Sequence, residues 1–258
     1  MKSSLLILGL AALGLAPSGN ASAQNFVQNG NFSQTTYANN SQFGTADGGL
    51  FGQGVTDWTG NGGYNLYYYN GTATTNSAAS QYDSGYNTGS EKLYGTSTFS
   101  GSSPSGNNFV ALDGDPSVGG GGGISQTISG LTPGSQYQVS FVWAASQLQS
   151  KTGNTTEDLQ VRLDNQIFTT PTESNPSGSF TGWFSQAYTF TATSTSTLLS
   201  FLSQGTPTGE PPIALLSNVS VTGVPKSPNQ VPEPATLSVL GAGVAGLLAV
   251  RRRRAKSS

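Results

Sequence analysis

The chain has 258 residues, with 10 Lys and Arg against 12 Asp and Glu, and it contains neither histidine nor cysteine. Ser-His-Asp triads, His-paired cysteine nucleophiles, thiolate metal sites and His-ligated zinc are thereby excluded. Only 9% of residues are charged, and the abundance of Thr, Tyr, Phe and Val over charged residues favours strands over helices.

Met1–Ala23 has the order of a secretory signal peptide. Lys2 supplies the positive start, Leu5–Ala16 the apolar region, and Ala21-Ser22-Ala23 the small-residue site, so cleavage is expected before Gln24. The opposite end carries Arg251–Arg254 and Lys256. Without Lys2, these five residues and Glu233, residues 24–230 hold 4 basic and 11 acidic residues, a net charge of −7. Nucleic acid, which requires a basic surface, is not an expected partner.

Residues 24–224 are expected to form one β-rich domain, a size at which all-β sandwiches are common. Phe26-Val27 reads as a short strand before an Asn29-Gly30 turn. From Ser33 to Gly106 the pattern is weak, and long loops with short strands are expected, one of them around Tyr64–Tyr69. Phe109–Leu112 reads as a buried strand ending at Asp113, and Ile124–Ser129 as another. Gly119–Gly123 lacks the Lys-Ser/Thr pair and the helix of a phosphate-cradling loop, and reads as a flexible connection. Leu131-Thr132-Pro133-Gly134 places proline and glycine in the order of a type II turn.

Tyr137, Val139, Phe141 and Trp143 then alternate with smaller or polar residues, giving a strand with one large apolar face. Leu159, Val161 and Leu163 share a face, and Asp164-Asn165 turns that strand into Gln166–Thr170 as a hairpin. Ala187–Thr193, Thr197–Ser203 and Leu215–Thr222 complete the set, with no helical periodicity of useful length between Gln24 and Gln230.

Two groups of side chains invite a chemical reading. Asp113 and Asp115 flank Gly114 in LDGDP. Loop aspartates commonly cap backbone amides; the pair is also placed to share a calcium ion, or to act as acid and base in glycoside cleavage, which needs carboxyls ~5 to 9.5 Å apart. Trp58 with Tyr64, Tyr67, Tyr68 and Tyr69 offers a sugar-stacking platform, the alternative being ordinary sheet packing. An exposed coplanar set would favour sugar binding; a buried set would favour a structural role. The Asn-x-Ser/Thr matches at Asn154 and Asn218 read as accidental.

The segments NFVQNGNFSQ (Asn25–Gln34), Trp58, NNFVALDGD (Asn107–Asp115), GISQTISGLTPGSQYQVSFVWAA (Gly123–Ala145), AYTFTATSTSTLLSFLS and IALLSNVSVTGV together resemble a galactose-binding-like jelly roll, as found in many carbohydrate-binding modules. The resemblance implies an all-β jelly-roll sandwich whose first and last strands pair. Family members often hold a structural calcium there with two acids; Ser33 and Ser217 stand at those positions here, and hydroxyls lack the carboxylate charge that gives such sites their affinity.

After a linker at 225–230, the last segment, 231–258, reads VPEPATLSVLGAGVAGLLAVRRRRAKSS. Pro232 and Pro234 keep Val231-Pro232-Glu233-Pro234 extended. The sixteen residues Ala235–Val250 form a short, weakly apolar transmembrane helix, against the roughly 20 residues of a full span. Arg251, Arg252, Arg253 and Arg254 open a basic tail at 251–256 that stays cytoplasmic. Together these features resemble the PEP-CTERM sorting signal of Gram-negative bacteria. That resemblance implies an exosortase-type membrane protease as partner, an inner-membrane-tethered intermediate, and delivery to the envelope or extracellular matrix.

The resulting expectation is a non-enzymatic exported protein that sits in, or binds, extracellular polysaccharide, with no cofactor; calcium at Asp113 and Asp115 is the alternative to their capping backbone amides. The alternatives are a glycan-degrading enzyme working with carboxylates, and a purely structural biofilm or surface component.

Overall fold

The computed structural model describes residues 24–46, 49–76, 78, 91–117, 119–210 and 212–225. The expected signal peptide with Ala21 and Ala23, linker residues 226–230 and the sorting signal lie outside the described residues. The chain divides into two units between Gly223 and Val224.

Among the described residues the chain forms thirteen strands and no helix. They are β1 (Ser41–Ala46), β2 (Gly49–Gly52), β3 (Thr59–Asn61), β4 (Asn65–Tyr68), β5 (Phe109–Asp113), β6 (Gly123–Ser129), β7 (Gln136–Ser146), β8 (Thr155–Leu163), β9 (Gln166–Thr169), β10 (Glu173–Asn175), β11 (Phe184–Thr191), β12 (Ser196–Thr206) and β13 (Ile213–Gly223). One sheet runs β11-β7-β13-β5-β4-β1-β2 and the other β10-β8-β12-β6-β3, with β9 paired to β8. The protein is an all-β jelly-roll sandwich.

The alternating strands built the core as their patterns require. Tyr137, Val139, Phe141 and Trp143 of β7 face Leu159 and Val161 of β8 and Leu199 and Phe201 of β12 in one buried cluster. Phe141 meets Phe201 edge-on, with centroids 5.1 Å apart. The proline-glycine turn falls one residue later than read: Ser135 N–H donates to Thr132 C=O at 3.0 Å, which puts Pro133 and Gly134 (φ 78°) at its two central positions.

The first segment is less regular than expected. Phe26-Val27 forms no strand of its own; Asn25 bridges Thr222, and Phe26 N–H donates to Val221 C=O at 2.9 Å. Val219 N–H donates to Gly30 C=O. The chain's beginning is thus fastened to its closing strand β13 by a few backbone bonds. At the calcium positions implied by the resemblance, Ser217 is fully buried and its Oγ donates to Asn108 C=O at 2.8 Å, while Ser33 N–H is taken by Asn31 Oδ1.

The weakly patterned stretch before β5 has a definite task. Beyond supplying β1 to β4, it covers the outer face of the seven-stranded sheet. Leu66, Tyr68, Phe109, Ala111, Ala144, Ile213 and Leu215 point to that face and meet Ala73, Leu93 and Phe99 in a second buried cluster. Phe99 stacks on Phe180 at 4.3 Å, and Phe109 meets Trp183 edge-on at 5.7 Å. Because both faces are covered, β4 and β5 are buried at every residue.

The glycine run is not a loose connection. Gly119, Gly120 and Gly121 take φ of 59°, 82° and 97°, a region closed to most side chains. Gly122 N–H donates to Asp113 C=O, and Gly122 C=O accepts Ser203 N–H, so the run ties β5 to β12 of the opposite sheet. It also fits against the β3–β4 turn so closely that a Cβ on Gly62 would lie 2.7 Å from Gly121 O.

Candidate functional site

The aromatic group read as a sugar platform is not one. Trp58, Tyr67 and Tyr68 are buried at 3%, 0% and 0% exposure. Trp58 tilts against Phe32 and Phe201, and its Nε1–H donates to Asn29 C=O at 3.1 Å. Tyr67 lies between the sheets and donates to Phe32 C=O at 3.1 Å. Tyr68, one residue on, lies in the second cluster and donates to Glu91 C=O. Tyr69 is half-buried, edge-on to Tyr67, with its hydroxyl on Tyr37 C=O. Tyr64 is half-buried and its C=O accepts Asp113 N–H. A strand alternates its faces, so a run of tyrosines along β4 cannot form one coplanar set.

Asp113 and Asp115 are each 3% exposed and committed to backbone amides. Asp113 Oδ1 accepts Asp115 N–H at 2.8 Å; Asp115 Oδ1 accepts Ser117 N–H at 2.8 Å and Oδ2 accepts Gly209 N–H at 2.6 Å. Burial pushes the Asp113 carboxyl up to about 7, with the Asp115 N–H bond opposing and the Asp115 charge reinforcing the shift. For Asp115, burial acts upward too, but the bonds from Ser117 and Gly209, aided by Lys151, hold it below the usual value. Calcium takes six to eight oxygens, mostly charged. Two carboxyls spent on amides, one of them drawn toward its neutral form, do not fit that requirement. Among the described residues no group of three or more Asp, Glu, His or Cys gathers around a metal-sized space. Of the readings open to this pair, its hydrogen bonds support the amide-capping turns and not the calcium ion, and a buried pair cannot bracket a sugar as acid and base.

The exposed chemistry lies on the outer face of the six-stranded sheet. In β8, Thr155, Glu157, Leu159 and Val161 point inward, so Thr156, Asp158, Gln160 and Arg162 point out. Register pairs Thr156 with Thr206, Asp158 with Gln204, Gln160 with Leu202 and Arg162 with Ser200 of β12. At one end of this face an open groove of about 390 Å³ is lined by Thr156, Asp158, Thr172, Gln204, Thr206 and Gly114. Thr156 and Thr206 hydroxyls bond each other at 2.7 Å. Asp158 Oδ2 accepts from Thr172 Oγ1 at 2.9 Å, while its Oδ1 is covered and has no protein partner. The groove is therefore lined by hydroxyls, an amide and a carboxylate. At the far end of the face Ile167, opposite Arg162, and Leu198, two residues from Arg162's partner Ser200, are 46% and 51% exposed.

None of these groove residues was singled out by sequence. The alternation of β8 and β12 marks which residues point outward, but nothing in the sequence says that strands more than thirty residues apart lie side by side. The inward neighbour Glu157 was also missed. It is fully buried, and burial pushes its carboxyl up to about 8, against hydrogen bonds from Thr155 Oγ1 and the Ile213 amide.

Beyond the sandwich, the family profile for the PEP-CTERM protein-sorting motif matches residues 230–254. The chain carries a PEP-CTERM sorting motif. The PEP-CTERM match spans Val231-Pro232-Glu233-Pro234 and Arg251–Arg254, and it marks an exported protein whose precursor is an exosortase target. A second profile, described as a protein of unknown function (DUF642), matches residues 94–221, just under half of the chain. Among curated proteins no sequence matches.

Three solved structures are similar to parts of the chain. The CBM22-1 xylan-binding domain from Paenibacillus barcinonensis Xyn10C is 8% identical, with 81% of this chain and 100% of that chain covered and a TM-score of 0.36. TmCBM61, solved with beta-1,4-galactotriose, is also 8% identical, with 78% and 100% covered and a TM-score of 0.33. The C-terminal domain of EclA, a sugar-binding protein, is 16% identical, with 38% of this chain covered and a TM-score of 0.30. The match spans 64% of the EclA chain, less than two thirds of it.

Proposed function

We propose that the protein is delivered to the cell envelope or extracellular matrix by exosortase processing, and that its sandwich there holds extracellular polysaccharide in the groove between β8 and β12. It acts by binding and not by catalysis. The observation that carries this reading is the groove's lining. The hydroxyls of Thr156, Thr206 and Thr172, the Gln204 amide and the Asp158 carboxylate supply donors and acceptors of the kind sugar hydroxyls satisfy. The volume, about 390 Å³, falls at the small end of the ~300 to 1,000 Å³ typical of ligand sites. Asp113 and Asp115 being spent on amides supports the non-catalytic half. Affinity electrophoresis of the mature protein through gels carrying the producing bacterium's polysaccharide tests the binding. Retardation that is lost in Gln204→Ala is expected; unretarded migration would overturn it. Intact mass from strains with and without the exosortase tests the delivery. The expected product begins at Gln24 and ends near Pro232–Pro234 only where the protease is present.

A second reading, a structural matrix component without a discrete ligand, is favoured by one observation: the tyrosines of β4 are buried and serve packing. It predicts unretarded migration together with normal processing.

A further inference from the structure

The strand that ends the seven-stranded sheet leaves one edge open. β11 pairs with β7 from Phe184 to Thr191 and has no strand on its other side. Thr191 shows which of its backbone groups turn away from β7: the N–H donates to Gln166 Oε1 at 3.0 Å, and the C=O accepts from Gln166 Nε2 at 2.7 Å. Backbone groups alternate sides along a strand, so Ser185, Ala187 and Thr189 turn theirs outward too. Among the described residues nothing meets them there. The other outlying strands are blunted. β2 and β9 have four residues each, β3 and β10 three, and the pairing of β2 with β1 is broken by a bulge at Gly44 and Thr45. Short or bulged edges resist further pairing. β11 has eight residues, with no proline, no charge and no bulge.

The make-up of this edge suits a second copy of the same chain. No residue from Ser174 to Gly209 is charged, so the net charge of −7 is carried by other segments. The side chains on the outer face of the edge, Ser185, Ala187 and Thr189, are small and exposed, and two such strands can approach without a clash. On the inner face Phe168 of β9, 38% exposed, stacks on Tyr188 at 5.1 Å and gives the edge an apolar flank. Two copies of β11 laid antiparallel have one register that uses every open residue: Ala187 opposite Ala187, and Ser185 opposite Thr189 on both sides of it. Each of these pairs exchanges both N–H to C=O bonds. Thr191, already capped by Gln166, then lies opposite Trp183, beyond the paired run, and Tyr188 lies opposite Gln186 of the second copy. A shift by two residues either leaves open groups unpaired or sets them against the capped Thr191. The same patch serves both copies, so the assembly closes at two.

We infer that β11 is an association edge for a second copy of this chain, which pairs antiparallel about Ala187 into a two-fold dimer with one continuous sheet. The interface belongs to the small class, so the dimer forms reversibly. Sedimentation velocity of the mature protein without polysaccharide tests it, independently of glycan binding. The mass should rise from one copy toward two between about 1 µM and about 1 mM protein. Ala187→Pro removes an N–H that bonds nothing in the single copy, a change an edge strand tolerates, and should weaken the dimer about tenfold or more. Ala187→Lys sets like charges directly opposite each other and should do the same; it serves as the test where the proline variant does not fold. The chain has no cysteine, so Ala187→Cys reports the register. Opposed residues of a bonded pair lie about 5.5 Å apart between Cα atoms, within the roughly 4.4 to 6.8 Å of disulfides. On oxidation Ala187→Cys should form a covalent dimer in preference to Ser185→Cys, whose two copies stand apart by the span from Ser185 to Thr189. A wild type that stays monomeric throughout would overturn the inference, as would a dimer that persists in the folded Ala187→Pro or Ala187→Lys variant. Larger assemblies that grow with concentration, or equal cross-linking of the two cysteine variants, would overturn the two-fold register.

Discussion

Tyr67 and Tyr68 are consecutive in β4, yet each is fully buried in a different core, one between the sheets and the other beneath the outer cover. A single strand thus serves as the wall between two apolar compartments. The hydroxyls are tied off separately, Tyr67 on Phe32 C=O and Tyr68 on Glu91 C=O.

Two effects follow for substitutions here. Tyr68→Phe removes one buried donor and should cost about 1 kcal/mol of unfolding free energy. Tyr67→Ala or Tyr68→Ala should cost about 3 to 5 kcal/mol, as loss of a buried aromatic does. Tyr68→Phe should leave polysaccharide retention unchanged, since no ring reaches the groove. Urea unfolding and affinity electrophoresis of the same samples check both; reduced retention in the folded Tyr68→Phe variant would return β4 to the binding surface.

Stability should fall as pH rises across neutrality. Asp113 and Glu157 are raised by burial from 3.8 and 4.5 to about 7 and about 8. The folded state therefore binds more protons than the unfolded chain between those limits, and their contribution is fully present below about pH 4 and lost by about pH 8. The wild-type melting temperature should decline between pH 5 and 8. Asp113→Asn and Glu157→Gln, which stay neutral, should each flatten that decline and melt higher than wild type at the alkaline end. An unchanged slope in both variants would remove these two carboxyls as its source.

The outer cover should open before the sandwich does. Its ring contacts centre on Phe99 against Phe180 and Trp183, and its backbone joins the sandwich by isolated bonds such as Tyr94 N–H to Gln147 C=O, not by a strand ladder. Phe99→Ala should expose residues 91–108 to limited proteolysis at temperatures well below global melting, because a segment outside the ladders opens locally once its main ring contact is removed. Cleavage that appears only at the melting temperature would show the cover and sandwich to be one cooperative unit.

Gly62→Ala tests the fit of the turns at the end of the sandwich. Gly62 has φ 56°, and an added Cβ would meet Gly121 O at 2.7 Å and Gly119 O at 2.8 Å, both backbone atoms. A loss of about 1 to 3 kcal/mol is expected from strain and overpacking, read by urea unfolding. A neutral substitution would mean that the two turns separate readily.

What the sequence disclosed depended on whether one face or two were buried. In β7 the alternation of Tyr137, Val139, Phe141 and Trp143 against polar partners was legible because the other face carries lighter contacts. In β4 the run Asn65–Tyr68 is buried throughout, so periodicity vanished and the tyrosines resembled a surface cluster. For Asp113 and Asp115 the spacing left amide capping, a shared calcium ion and an acid-base pair open together, because the hydrogen-bond commitments to Ser117 and Gly209 that decide among them are not visible in sequence. The groove was illegible for a different reason: Asp158 and Gln204 meet only through the register of β8 with β12. The sorting motif at 230–254 was plain because it is contiguous.

The glycine run at 119–123 also bears on how this protein can be altered. By composition it is where one would insert an epitope, a purification tag or a fluorescent reporter. Only Gly120 has open space around it: Gly122 bonds across to both sheets, and Gly119 and Gly121 face the β3–β4 turn backbone to backbone. A library of random insertions should therefore show a gap at 121–123 as deep as that in the central strands. Reporters meant to follow the protein into the matrix belong at other loops.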